Sequence, residues 1–191
     1  MIANRGRVAA FLAEDTAVLA ERILTQNPWL CEQIGVHWNS WSRALLDSNG
    51  LRSASLHLLG SAAIGFSLSP EKAGRQFRQI SGTELPSDLD LAVVDDGLFR
   101  SCWDEMVAFE RLGRSTYLNE SDREHVYWGR IDDYRIPSRS PAKTQARTLI
   151  DSCRRSPEFR GYPASLRVYR RWNDLFYYVV RGLQALGRTI R

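Results

Sequence analysis

Hydrophobic residues recur at helical spacing towards both ends of the chain. Near the N-terminus this spacing predicts one helix over residues 7–25 and a second that starts at Asn27-Pro28 and runs to about Leu45. At the other end, an apolar stripe predicts a long amphipathic helix over residues 172–186. Two further helices are predicted over residues 99–112 and 141–155.

Four short apolar runs between these helices have the length and composition of β-strands. They cover residues 53–59, 89–94, 126–131 and 165–169. A long polar stretch, residues 67–86, separates the first two runs, and loops of that length are often functional. The order of helices and strands predicts an α/β or α+β layer arrangement.

Two features of the first two predicted strands indicate a chemical role. The first strand ends at Gly60-Ser61, where a glycine lets the backbone approach a ligand and the amides that open the next helix attract phosphate. Asp88 lies at the entry to the second strand and Asp90 is its second residue, and side chains two residues apart on a strand share one face. Two adjacent carboxylates need a cation between them, and Mg²⁺ with phosphate oxygens suits that position.

This combination resembles the nucleotidyltransferase superfamily of the DNA polymerase β type, and in particular its small stand-alone bacterial members. The family signature is a Gly-Ser turn followed by Asp-x-Asp on the next strand. The resemblance covers residues 54–131 and implies an α+β fold, with a small mixed sheet flanked by helices and extended by N- and C-terminal helices. The matching residues are Gly60-Ser61, Gly65, Gly82-Thr83 and the run Ser87-Asp88-Leu89-Asp90-Leu91.

The resemblance also implies a reaction and the residues that carry it. The reaction is transfer of a nucleoside monophosphate from an NTP to a hydroxyl, with Mg²⁺ or Mn²⁺ as cofactor and release of pyrophosphate. Asp88 and Asp90 are expected to bind both of two metal ions and to be catalytic, together with a third carboxylate. The expected nucleotide-binding residues are Gly60, Ser61, Gly65, Ser87, Lys72 and Arg75.

An apparent insertion is the first departure from the family pattern. About 26 residues separate Ser61 from Asp88, and the extra segment spans residues 66–80. Its basic residues are expected either to reach a triphosphate or an acceptor, or to form a solvated loop. These residues are Lys72, Arg75 and Arg78.

The third carboxylate is the second departure. The family carries it on a later strand, and the candidates here are Asp132 and Asp133, which follow the predicted strand over residues 126–131. Asp132 is taken as the third metal ligand and catalytic residue, with Asp133 or neither as the alternatives. The strand over residues 165–169 carries Arg167 and no acid. Without a third acid, the natural base for a hydroxyl acceptor is missing.

The net charge of +4 conceals an asymmetry between the two halves of the chain. Residues 1–110 carry 9 basic and 14 acidic side chains, whereas residues 111–191 carry 17 basic and 8 acidic ones. Of the 26 basic residues 24 are arginine, whose planar fork suits phosphate oxygens. The basic C-terminal half is therefore expected to face an anionic partner. Tyr127 and Trp128 are candidates for base stacking, with core packing as the alternative.

The sequence leaves four kinds of acceptor open: a nucleotide, an oligonucleotide, a tRNA and a protein. The arginine excess favours a nucleic-acid-like acceptor over a cationic small molecule such as an aminoglycoside. Bacterial defence or toxin–antitoxin signalling, with a partner protein from the same operon, is one context. The alternative functions are a catalytically inactive nucleotide-sensing or regulatory subunit that keeps the fold, and a nucleic-acid-binding protein without catalysis.

Length and composition limit the architecture. A chain of 191 residues fits one domain, in which residues 1–50 form a helical bracing segment, 51–135 the catalytic core and 136–191 a basic C-terminal helical part. The longest apolar run falls short of the ~20 residues of a membrane span, so no membrane partner is expected. The three cysteines lie far apart and match neither a disulfide framework nor a zinc site, which favours a cytoplasmic location.

Overall fold

The computed structural model of the chain describes residues 2–80, 85–112 and 119–190. Within these residues it has an α+β fold with one small mixed sheet, which confirms the fold class expected from the sequence. The strands are β1 (Ser55–Leu59), β2 (Leu89–Val94), β3 (Arg130–Asp132) and β4 (Ala164–Tyr169). The helices are α1 (Ile2–Phe11), α2 (Thr16–Thr25), α3 (Trp29–Ile34), α4 (Trp38–Ser48), α5 (Gly60–Ile64), α6 (Asp96–Arg111), α7 (Glu120–Tyr127), α8 (Pro141–Arg155) and α9 (Trp172–Ile190).

The four strands lie in the order β1-β2-β4-β3. β2 is antiparallel to β1 and parallel to β4, and β3 runs antiparallel to β4. Asp90 lies opposite Leu59 on one side and Ser165 on the other, while Arg167 lies opposite both Ala92 and Asp132. The C-terminal part of the chain therefore supplies β4, an inner strand, as well as helices.

One face of the sheet is apolar and carries the main core. Because side chains alternate along a strand, Leu91 and Val93 of β2 point to the same face as Leu166 and Val168 of β4. These side chains are buried against helices α3, α4, α6 and α8. Trp38 of α4 also donates from Nε1 to the carbonyl of Leu56, at 3.0 Å, which ties the helix layer to β1.

The other face is covered by α2 and α9 and is apolar over only part of its area. A buried cluster there contains Leu59, Ala92 and Tyr169 of the sheet, which pack against Leu24 and Leu175. Beyond this cluster the sheet carries charged residues and opens into a cleft. The same face thus combines a packed half and a polar half.

Helix α9 is the longest helix, and its 19 residues match the amphipathic pattern predicted for residues 172–186. Its apolar side contacts α2, where Leu183 packs with Leu19 and Ala20. None of the described helices combines the length and apolar character that a membrane crossing needs.

The prediction of two uninterrupted N-terminal helices was wrong. The helix predicted over residues 7–25 divides into α1 and α2, because the Asp15 side chain caps the start of α2 by accepting from the amide of Ala17 at 2.8 Å. The helix predicted from Asn27-Pro28 to Leu45 divides into α3 and α4 at Gly35, whose φ of 70° ends α3 in the left-handed conformation.

The strand predicted over residues 126–131 was wrong in its first half. Asn119 and Asp122 form a reciprocal capping box that starts α7, and the helix continues to Tyr127. Gly129, with a φ of 71°, then turns the chain into the short strand β3. As a result Tyr127 and Trp128 lie at the end of a helix, 76% and 48% exposed, and core packing does not account for them.

Candidate functional site

A cleft of about 910 Å³ opens at the polar half of the second sheet face. The sheet contributes Asp90 and Arg167 to its lining. The loop between α5 and β2 contributes one group of residues, and α9 contributes another. Most of the residues that the sequence singled out line this cleft, namely Gly60, Ser61, Lys72, Arg75, Ser87, Asp88 and Asp90.

Gly60 and Asp90 are in direct contact across the β1–β2 pair. Gly60 has a φ of +63°, and a Cβ added to it would lie 2.5 Å from Oδ2 of Asp90. Any side chain at position 60 would therefore push the carboxylate away, and the left-handed backbone by itself already favours glycine. The Gly-Ser turn is thus shaped around the carboxylate of Asp90.

Asp88 and Asp90 both line the cleft, as their spacing on an extended chain predicts. They differ in surroundings. Asp88 precedes β2 and is exposed, whereas the Asp90 side chain is 30% exposed and paired. One carboxylate is therefore open to a ligand, and the other is held in place by the sheet.

Arg167 of β4 holds Asp90. Its Nη1 donates to Oδ1 of Asp90 at 3.1 Å, and its Nε lies 3.4 Å from Oδ1 of Asp132. Burial opposes the charge of Arg167, but Asp90 and, to a smaller extent, Tyr178, Tyr169 and Asp132 together outweigh burial and raise the pKa of Arg167 above its ordinary value. A permanent cation therefore lies between two acids on neighbouring strands.

The two candidates for the third carboxylate have separate environments. Asp132 is buried, and Arg130 donates from Nη2 to its Oδ2 at 3.0 Å, so Asp132 is held between Arg130 and Arg167. Asp133 begins the turn after β3. Lys143 of α8 binds its carbonyl oxygen and its carboxylate, and the amide of Leu166 donates to its Oδ1 at 3.3 Å. Of the two, Asp132 is the one linked to Asp90, through Arg167.

The loop between α5 and β2 brings three basic residues to the cleft. Lys72, Arg75 and Arg78 all contribute to its lining. Ser87 closes this loop, because its Oγ accepts from the amide of Arg78 at 3.1 Å and its own amide donates to the Arg78 carbonyl at 3.0 Å. Gly82-Thr83, part of the predicted motif, lies outside the described residues.

Gly65 has a packing environment of its own at the end of α5. Its φ is +83°, and a Cβ there would lie 3.0 Å from the ring of Trp29. This close contact with α3 requires glycine whether or not a ligand is bound. Packing against Trp29 therefore accounts for Gly65 without a bound nucleotide.

The sequence analysis named Trp128 as a base-stacking candidate but did not place His125 of α7 or Arg130 of β3 in the site. His125 and Arg130 line the cleft, and Nη2 of Arg130 lies 2.9 Å from Nδ1 of His125. Burial, followed by the charge of Arg130, lowers the pKa of His125, so its imidazole is neutral at pH 7. The available signal was the spacing of Arg130 and Asp132, which are two residues apart on one strand and therefore lie on the same face.

Two properties of the described residues bear on which reactions they could support: the grouping of possible metal ligands and the protonation of the thiols. No group of three or more Asp, Glu, His or Cys side chains in residues 2–80, 85–112 and 119–190 is arranged to hold a metal ion. Burial raises the pKa of Cys31, Cys102 and Cys153 to about 12, so these thiols are protonated at neutral pH and are poor nucleophiles. Within the described part of the chain, the cleft lining contains five metal-type donors, of which the first two form the Asp-x-Asp motif: Asp88, Asp90, Glu124, His125 and Asp174.

Comparisons with protein-family models, with curated proteins and with solved structures find no match to this chain.

Proposed function

We propose that this protein is a metal-dependent nucleotidyltransferase that transfers a nucleoside monophosphate from an NTP to a hydroxyl acceptor. The contact between Gly60 and the Asp90 carboxylate is the observation that supports this proposal most strongly. It joins the Gly-Ser turn to the Asp-x-Asp strand in one cleft, next to the basic residues of the α5–β2 loop. A triphosphate needs this combination of close backbone, acidic metal ligands and nearby positive charge.

The donor set fits one divalent ion that arrives with the nucleotide. Asp88 is open to the cleft, and Mg²⁺ commonly takes one or two carboxylates together with phosphate oxygens and water. Asp88 and Asp90 would hold this ion. When bound, the ion would neutralise charge on the phosphates during displacement. Asp132 lies between two guanidinium groups and acts through Arg167, as a positioning residue.

The remaining residues of the cleft bind and orient the triphosphate. Ser61 donates its hydroxyl to a phosphate oxygen, and Lys72 and Arg75 neutralise the triphosphate charge. Arg167 donates to Oδ1 of Asp90 and fixes the direction of that carboxylate. In the reaction, the acceptor oxygen forms a bond to the α-phosphorus, the bond to pyrophosphate breaks, and the hydroxyl proton is released.

Product analysis tests this proposal. The protein is incubated with each α-labelled NTP and dNTP, with Mg²⁺ or Mn²⁺, beside an Asp88→Ala/Asp90→Ala double variant. Products are separated by chromatography and identified by mass. We expect a labelled product from the wild type only, with a mass that contains one nucleoside monophosphate. Intact NTP in every reaction, with nucleic acid and protein acceptors also supplied, would contradict the proposal.

A second candidate function is nucleotide binding without turnover, as in a sensing or regulatory subunit. The ion pair between Arg167 and Asp90 favours it, because a guanidinium already neutralises one of the two metal-type carboxylates. Under this function, NTP binds with the same dissociation constant in wild type and in Asp88→Asn, and no label is transferred. Isothermal titration of both proteins, with and without Mg²⁺, distinguishes the two candidates.

A further inference from the structure

One wall of the cleft consists of aromatic and basic side chains. We call it the α9 wall, and it comprises Trp128, Tyr177, Tyr178, Arg181 and Arg188. Tyr177, Arg181 and Arg188 are four and seven residues apart, so they lie along one side of α9. With a rise of 1.5 Å per residue, this side extends for about 16 Å. The α9 wall therefore follows one side of α9, with Trp128 from the end of α7 beside it.

Its aromatic rings are unusually exposed. Tyr177 is 60% exposed, Trp128 48% and Tyr178 36%, and these are half of the six markedly exposed aromatic side chains among the described residues. The apolar side of α9 already packs on α2 and on the sheet. The ring of Tyr178 contacts the buried ring of Tyr169, whereas the rings of Tyr177 and Trp128 belong to none of the buried clusters that the described residues form. All three rings line a cavity large enough for a ligand.

Arginine side chains accompany these rings. The guanidinium of Arg181 lies 4.6 Å from the ring centre of Trp128, and that of Arg130 lies 4.9 Å from the ring centre of Tyr178. Among the residues that line the whole cleft, seven are Lys or Arg and four are Asp or Glu. The surface thus offers flat faces and an excess of positive charge. An unpaired nucleobase with its flanking phosphates is complementary to both.

We propose that the α9 wall binds single-stranded nucleic acid, with a base stacked on Tyr177 and phosphates at Arg181 and Arg188. Bases of a duplex are stacked on each other, so their faces are closed to such a surface. The strand end then lies in the same cleft as Asp88 and Asp90. If the proposed nucleotidyl transfer is correct, the terminal hydroxyl of this strand is its acceptor, and this clause alone rests on the proposed function.

Fluorescence anisotropy tests the binding directly, in EDTA and without NTP, so that catalysis is not involved. The probes are short fluorescein-labelled oligouridylate and oligothymidylate and a blunt duplex of the same length. We expect both single strands to bind more tightly than the duplex, with an affinity that falls as salt rises. The single strand that binds more tightly identifies RNA or DNA as the ligand.

Variants separate stacking from charge. Tyr177→Ala is expected to weaken binding roughly 5- to 100-fold with an unchanged salt slope, whereas Tyr177→Phe keeps the ring and the affinity. Arg181→Gln is expected to lower the salt slope by about 0.7. The matched controls lie outside the cleft lining: Tyr134→Ala removes a ring that is 63% exposed, and Arg100→Gln removes an exposed charge of α6. Thermal melts establish that each variant is folded.

Two results would overturn the inference: no binding of either single strand, or equal loss of binding in Tyr134→Ala and Tyr177→Ala. Equal affinity for the duplex would likewise contradict base stacking. Because the assay contains no NTP, its failure leaves the nucleotidyl transfer assay unaffected. Conversely, binding with the expected variant pattern supports the α9 wall even where no label is transferred.

Discussion

The two faces of the β2–β4 strand pair are built from alternating residues of the same segments, yet they differ in kind. Leu91 and Leu166 point into the main core and are fully or almost fully buried. On the opposite face Asp90 and Arg167 form an ion pair at the edge of a cleft. One face of each strand thus stabilises the fold, and the other holds charges where a ligand can reach them.

This difference shows how a small sheet can carry charged side chains on one face at a modest cost in folding free energy. Charged groups are expensive to bury without partners, and the pairs formed by Arg167 and Arg130 supply partners for both Asp90 and Asp132. The apolar face, which lacks such groups, carries the hydrophobic stabilisation. Substitutions on the two faces should therefore separate stability from function.

Neighbouring residues of β2 give the largest contrast. Leu91→Ala removes a fully buried side chain, and we expect the free energy of unfolding to fall by about 2–5 kcal/mol. Asp90→Ala leaves Arg167 paired with Asp132, so we expect the free energy of unfolding to stay within about 1 kcal/mol of wild type while nucleotidyl transfer is lost. Urea unfolding of both variants measures the contrast, and a loss of stability in Asp90→Ala as large as in Leu91→Ala would remove it.

Two glycines with left-handed backbones make the next comparison. Gly35 has open space around it, whereas a side chain at Gly60 would collide with the Asp90 carboxylate. We expect Gly35→Ala to cost about 1–2 kcal/mol for its backbone alone, and Gly60→Ala to cost about 1 kcal/mol more. Only Gly60→Ala should weaken NTP binding. Identical stabilities and identical NTP dissociation constants in the two variants would show that Gly60 is not shaped around Asp90.

Local signals in the sequence were sufficient for much of the fold. Strand β2 and helices α6, α8 and α9 were predicted close to their observed bounds, because strong apolar periodicity coincides with clear ends. The errors lie where one or two residues override the apolar periodicity. Asp15 caps a new helix, Gly35 ends one, and the capping box at Asn119 starts a helix in place of a strand.

The candidate site, like the fold, could be predicted only in part. Spacing alone was enough to expect Asp88 and Asp90 on one side of a strand, and the structure places both in the cleft. The ion pair between Asp132 and Arg167 depends on the strand order, because β4 lies between β2 and β3 and carries Arg167 to both acids. No local pattern encodes this order, so the role of Arg167 could not be predicted.

Arg167→Met tests how much the charged face contributes to stability, and we expect an effect of intermediate size. It leaves the buried Asp132 with Arg130 as its remaining cation, and we expect the free energy of unfolding to fall by about 1–3 kcal/mol. Arg100→Met, which removes an exposed partner of Asp96, should cost no more than about 0.5 kcal/mol. Chemical unfolding of both variants provides the measurement, and equal costs would mean that the Arg167 pairs contribute no more than surface pairs.

The smallest effect concerns His57, in the packed half of the cleft-side face. Burial lowers its pKa in the folded protein, although the carbonyl of Leu24, 3.1 Å from Nδ1, opposes this in part. The unfolded chain takes up this proton near pH 6.5, so the stability due to neutral His57 is complete above that pH. It is lost as the pH falls through about 6.5 towards the lower pKa of the folded state.

We therefore expect the wild type to lose stability more steeply than His57→Gln between about pH 7.5 and pH 5.5. His37→Gln, which removes an exposed histidine, is the control and should keep the slope of the wild type. Urea midpoints across this range provide the measurement. Parallel curves for wild type and His57→Gln would show that burial of His57 does not influence its protonation.

Label transfer by single isosteric variants is the direct test of the proposed nucleotidyl transfer. Asp88→Asn and Asp90→Asn keep the shape of each side chain and remove its charge, and Asp104→Asn does the same at an exposed position of α6 outside the cleft lining. We expect wild type and Asp104→Asn to transfer a nucleoside monophosphate from α-labelled NTP, and the two cleft variants to be slower by at least about a hundredfold. Equal rates of transfer in all four proteins, or transfer in none of them, would contradict the proposed function.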